Sequence, residues 1–77
     1  MKNRYGSLSE LSLHGIGRIE NLSVDSLMKQ KLIAMGFVYG SNIEKLIDSG
    51  SILVRIGNLR LAVSREIADK INLEYIG

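Results

Sequence analysis

The most regular stretch of the chain is Ile52-Leu53-Val54-Arg55-Ile56, then Gly57-Asn58, then Leu59-Arg60-Leu61-Ala62-Val63. Both runs alternate, the period of a strand with one buried face. A Gly-Asn pair between two such runs predicts a two-residue hairpin turn. That turn sets Ile56 opposite Leu59, Val54 opposite Leu61 and Ile52 opposite Val63, gathering all of these large aliphatics on one face. A slip of one residue would push them into water, so pattern and turn agree. The other face pairs Arg55 with Arg60 and Leu53 with Ala62. Like charges directly opposite are mildly unfavourable. A preceding strand, Ile43 to Ile47, returning through Asp48-Ser49-Gly50-Ser51, would bring Glu44 beside Arg55 and relieve part of that repulsion. Leu46, Leu53 and Ala62 would then form an apolar row beside the charged one. The same register turns Lys45 inward: either it snorkels at a rim or a bulge shifts the phase.

Upstream the period changes. Val24, Leu27, Met28, Leu32 and Met35 recur at three-and-four spacing, which predicts a helix capped by Asp25 or Ser26 and running to about Met35. Gly36 is its C-terminal stop, because the left-handed conformation usual there costs glycine nothing. Phe37 follows and can fold back against the helix. Gly40 makes a second corner, and Ser41-Asn42-Ile43 starts the next strand. Ser7-Leu8-Ser9-Glu10 has capping-box spacing and reads as one helical turn. Gly15 to Leu22 reads as a first strand whose glycines suggest a bend or bulge. Ser64 can cap a short helix through about Ile71, with Ile67, Ala68 and Ile71 buried, and Leu73 to Ile76 is a last strand. Five short strands with short helices between them predict a small, strongly bent barrel.

Length and composition narrow the class. A chain of 77 residues holds one domain, since two cores would each be too small; we take 1–77 as that domain. At 45% hydrophobic the composition is ordinary globular material. Without cysteine there is no disulfide framework and no thiol chemistry, which fits a reducing cytoplasm. MKNRYGSLSE has charge but no apolar run after it, so it does not read as a signal peptide. Ten Lys and Arg are interleaved with eight acids, and a net charge of +2 is too small to argue for nucleic acid.

The chain resembles the ferrous iron transport protein A (FeoA) family, whose members are single SH3-like barrels. The matching features are Leu8, Leu11, Gly15 and Ile19, then Leu32, Met35-Gly36-Phe37, Gly40 and Ile43. They continue through Ile52, Val54, Ile56-Gly57, Leu59, Leu61-Ala62-Val63-Ser64, Ala68 and Ile71, so nearly the whole chain is covered. It departs at His14, where the family often has proline, at Gly50-Ser51, where Asp-Pro is common, and at Lys45, where the family tends to be apolar. The resemblance implies a small cytosolic accessory protein of bacterial ferrous iron uptake. Its implied partner is the membrane GTPase permease called ferrous iron transport protein B. It also implies docking, not catalysis, and leaves weak self-association open. The same barrel resembles the C-terminal domain of iron-dependent repressors, without their DNA-binding and metal-binding domains.

Reactive chemistry finds little to build on. His14 is the only histidine, and no Ser, Asp or Glu joins it in a recognisable motif. Iron sites draw on several imidazoles, thiolates or carboxylates, and scattered acids with one histidine do not assemble one; no metal or cofactor is expected. Gly36 and Gly40 end a helix and start a strand, with no Gly-Lys-Ser/Thr, so they are structural corners and not a phosphate loop. Lys45, Arg55, Arg60 and Arg65 lack the interleaved aromatics that nucleic-acid-binding barrels use. The reading that remains is a protein-docking surface of Leu46, Leu53 and Ala62, edged by Arg55 and Arg60 and extended by Tyr39. Its alternative is that Leu46 and Leu53 are covered within the monomer. Gly36, Gly40, Gly57 and Asn58 are expected as structural turns.

Overall fold

The computed structural model describes residues 4–77. In chain order the elements are β1 (Tyr5–Ser7), β2 (Ile16–Leu22), α1 (Ser26–Ala34), β3 (Asn42–Asp48), β4 (Ser51–Ile56), β5 (Leu59–Ser64), α2 (Arg65–Ala68) and β6 (Ile71–Tyr75). The strands form a single antiparallel sheet in the order β1-β6-β2-β3-β4-β5. Among the described residues six strands stand where five were expected, and their sheet is not closed, with β1 and β5 at its edges. The additional strand is β1: Tyr5-Gly6-Ser7 has no alternation to announce it, and it exists because β6 pairs with it.

The hairpin has the predicted register, from Ile56 opposite Leu59 to Ile52 opposite Val63. Gly57 takes φ +57° while Asn58 stays out of the left-handed region, the pattern of a type II′ turn. Ile52, Val54, Ile56 and Val63 are buried, as expected. Leu61 is half-buried and Leu59 is 53% exposed, because both sit on a strand with no neighbour beyond it among the described residues.

The capping box also forms. The Ser7 hydroxyl accepts from the Glu10 amide at 3.3 Å, and the Glu10 carboxylate faces the Ser7 amide at 3.5 Å. The turn between them drives Leu8 and Leu11 into the core. α1 is capped by Asp25, whose carboxylate accepts from the Met28 amide at 2.8 Å. Val24, Met28 and Leu32, four apart, lie along the line by which α1 touches the core. Leu27 and Met35 were expected on that face but fall outside the line and stay exposed.

The end of α1 answers to hydrogen bonding. Phe37 N–H donates to Leu32 O at 3.0 Å and Gly36 N–H to Ile33 O at 3.0 Å, the paired bonds of a Schellman motif. That motif needs a left-handed residue between them, and Gly36 takes φ +105°. Phe37 is thereby driven into the core beside Leu32, both essentially fully buried.

Two bulges bend the sheet. One lies at Glu20 in β2, not at the glycines that suggested it. The other falls after Lys45 in β3: Lys45 opposes Val54, but Ile47, not Leu46, is the residue opposite Leu53. Leu46 is the extra residue and is half-buried. The extra residue resolves the position of Lys45, which stays inward and fully buried. The shift also turns Asp48 to the Lys45 side, where an unbulged strand would have faced it away.

Candidate functional site

Three strands carry the outer surface of the hairpin. Across β3, β4 and β5 the register sets Glu44, Arg55 and Arg60 in one row. Ile47, Leu53 and Ala62 form the next. Glu44 and Arg55 form an ion pair, as expected from the sequence, while Arg60 has no ion pair among the described residues. Ile47 is 50% exposed, Ala62 exposed and Leu53 half-buried. The apolar row is therefore on the surface, with Ile47 opposite Leu53 at the position the sequence assigned to Leu46. Beside the charged row lies a shallow depression of about 220 Å³ between Ile16, Asn42, Glu44, Arg55 and Gly57.

Tyr39 lines a different hollow. It sits at the tip of the turn from Val38 to Ser41, which closes through Ser41 N–H to Val38 O at 3.1 Å. Gly40 N–H anchors that turn to Ile19 O of β2 at 2.8 Å. Tyr39 is 77% exposed and lines a cleft of about 180 Å³ between α1 and β2, with Ile33, Val38, Lys29 and Glu20. Sequence reasoning placed Tyr39 at the edge of the hairpin strip, and gave Ile33 and Val38 no role. The signal for them was the scatter of apolar residues around α1, more than one buried face can use.

Behind the hairpin face lies a charged knot. The buried Lys45 ammonium donates to Asp48 Oδ2 at 2.9 Å and to the Ser9 carbonyl at 3.0 Å. Arg65, from α2, donates to the other Asp48 oxygen and to the Ser49 carbonyl, the latter at 2.8 Å. Ser9 in turn donates its hydroxyl to Asp69. The knot ties the N-terminal turn, the end of β3 and α2 together, and it leaves no buried polar side-chain atom unpaired among the described residues.

Hydrogen bonds from Arg65 first, then Lys45, hold the Asp48 carboxyl below the usual carboxylate range. A carboxyl that is more acidic folded than unfolded binds fewer protons in the folded state. Its contribution is complete above the unfolded value and lost as pH falls through the folded one. Thermal stability is expected to drop as pH is lowered below about 4. Asp48→Asn should flatten that part of the Tm–pH curve; an unchanged curve would remove Asp48 from this role.

His14 is exposed and takes φ +68°, unusual for a side chain that is not glycine. It is held by its amide, which donates to Lys45 O at 2.8 Å. A hollow of about 540 Å³ lies beside it, bordered by Arg4, Glu10, Leu13 and Tyr75. The Tyr75 hydroxyl donates to Ser7 O at 2.7 Å, and burial, then the Glu10 charge, hold the phenol above its usual range. Among the described residues no three His, Cys, Asp or Glu side chains gather to hold a metal. No described helix is long and apolar enough to cross a membrane.

Strand order, two short capped helices and the long hairpin define a small SH3-like β domain. The FeoA domain pattern matches residues 6–75, and the chain belongs to that family. A crystallised iron uptake regulatory protein, FeoA, is 26% identical and superposes with a TM-score of 0.86 over 94% of this chain and 97% of its own. The FeoA of Stenotrophomonas maltophilia, crystallised with zinc and described as a procaryotic SH3 domain protein, is 24% identical, with a TM-score of 0.76 over 87% of each chain. A manganese-dependent transcriptional repressor superposes at 0.86 with 18% identity, over 99% of this chain but 44% of its own. Below 25% identity, these last two likenesses speak for the fold alone. No curated protein matches the chain in sequence.

Proposed function

We propose that this protein is a small cytosolic accessory protein of bacterial ferrous iron uptake. It acts as a docking module for the cytosolic side of the membrane GTPase permease, ferrous iron transport protein B. Membership of the FeoA domain family supports the pathway, and the crystallised iron uptake regulatory protein is a relative over almost its full length. The observation that carries docking is the surface row of exposed Ile47 and Ala62 with half-buried Leu53 between them, edged by Arg55 and Arg60 on a hairpin of unbroken register. An apolar centre with an arginine rim is the make-up of an interface that other residues surround. The module works by binding and carries out no catalysis.

The test is Leu53→Asp in the full chain, with Ile47→Asp as a companion at a more exposed position. Both variants are expected to keep the natural circular dichroism and to lose about tenfold or more in affinity for the cytosolic part of the permease, the size of one interface anchor. Natural affinity in both folded variants would remove this face from the reading. A second reading, a free-standing regulatory barrel, is favoured only by the superposition on the manganese-dependent repressor. It requires salt-dependent binding to nucleic acid.

A further inference from the structure

We propose that β5 accepts an extended, acidic segment of a partner protein as a seventh strand, with a carboxylate seated opposite Arg60. The proposal rests on the docking reading above and specifies how that face is used.

Among the described residues β5 has β4 on one side and no strand on the other. Ile56 and Leu59 flank a two-residue turn and so form a hydrogen-bonded pair, as do Val54 with Leu61 and Ile52 with Val63. The alternation leaves the backbone N–H and C=O of Arg60 and Ala62 pointing away from β4. The chain turns into α2 only at Ser64, past both residues. An open edge of this kind is where an extended peptide adds to a sheet.

Charge selects the occupant. Along the row from β3 to β5 the signs run negative, positive, positive: Glu44, Arg55, Arg60. Glu44 neutralises Arg55, while Arg60 is exposed with no carboxylate bound to it among the described residues. A seventh strand with an acidic residue opposite Arg60 completes the alternation. Two positions along the same face, Ala62 is small and leaves room for a large apolar side chain beside Leu53. On the opposite face, exposed Leu59 and half-buried Leu61 favour further apolar residues. A second copy of β5 fits worse, because its own strand brings one further arginine and no carboxylate. Arg60 thus discourages pairing between copies while favouring an acidic guest.

The experiment follows amide hydrogen exchange in the 77-residue protein by NMR. The probes are two capped short peptides, one alternating valine with glutamate and the other valine with lysine. With a Kd near 1 mM, about 2 mM of the glutamate peptide slows exchange at Arg60 and Ala62 about threefold, since protection is one plus the ratio of peptide to Kd. The lysine peptide leaves both amides unchanged, and Arg60→Glu exchanges the preference. Ala62→Pro removes an outward donor that the β4 ladder does not use, and it abolishes the effect. Equal protection by both peptides, or none by either, overturns the proposal. Protection that grows with protein concentration alone, without peptide, also overturns it in favour of a second copy. If Leu53→Asp abolishes permease binding while Arg60→Glu and Ala62→Pro bind as the natural chain does, strand addition falls and flat docking stands. Binding indifferent to all three variants overturns both.

Discussion

Replacing Lys45 with alanine is expected to destabilise the fold by about 3 kcal/mol, whereas Lys45→Met should stay within about 1 kcal/mol of the natural chain. Alanine removes a fully buried stem and leaves the Ser9 carbonyl and one Asp48 oxygen without their donor. Methionine restores most of the volume and removes the cost of keeping an ammonium from water. Asp48 then retains Arg65, at a position where its side chain is 29% exposed and water can reach it. Buried ion pairs often gain nothing over an apolar side chain of the same shape, because desolvation cancels their attraction. Urea unfolding of both variants measures the difference. If methionine proves as damaging as alanine, the charge itself holds the knot together.

Phe37→Ala is expected to cost about 3–5 kcal/mol, the range for a large aromatic removed from a closed core. Domains of this length have roughly 4–12 kcal/mol in total. The variant should therefore be marginal at room temperature, with a thermal midpoint far below the natural one. Phe37→Leu keeps most of the buried volume and should lose far less. A small loss for alanine would mean that Phe37 lies at a yielding edge of the core, contrary to its complete burial.

The hairpin was legible because two independent signals coincide on it: alternation, and a turn dipeptide that admits one register. The corner at Gly36 was legible for the same reason, an apolar helix pattern ending on a glycine followed by a large apolar residue. β1 was not, since three residues without alternation become a strand only through pairing with β6, at the far end of the chain. The bulge at Lys45 was legible only as one of two ways to seat an inward lysine, since no glycine or proline marks its position. The site was half legible. The rows of Arg55 with Arg60 and Leu53 with Ala62 follow from the turn, but Ile47 enters only through the bulge. The exposure of Leu59 depends on β5 being an edge, which is a property of the sheet. Tyr39 was correctly placed at a glycine corner, but the cleft it lines with α1 and β2 depends on how that corner packs, which spacing does not record.

The pairing of β1 with β6 sets Tyr5 opposite Glu74. That contact closes a loop of nearly the whole chain, whereas β3, β4 and β5 meet through connections of a few residues. Loop-closure entropy therefore sets an order of assembly: the three-stranded meander is the natural nucleus, and the joining of the two ends comes late. Substitutions at the Tyr5 margin should consequently speed unfolding while leaving the refolding rate almost untouched.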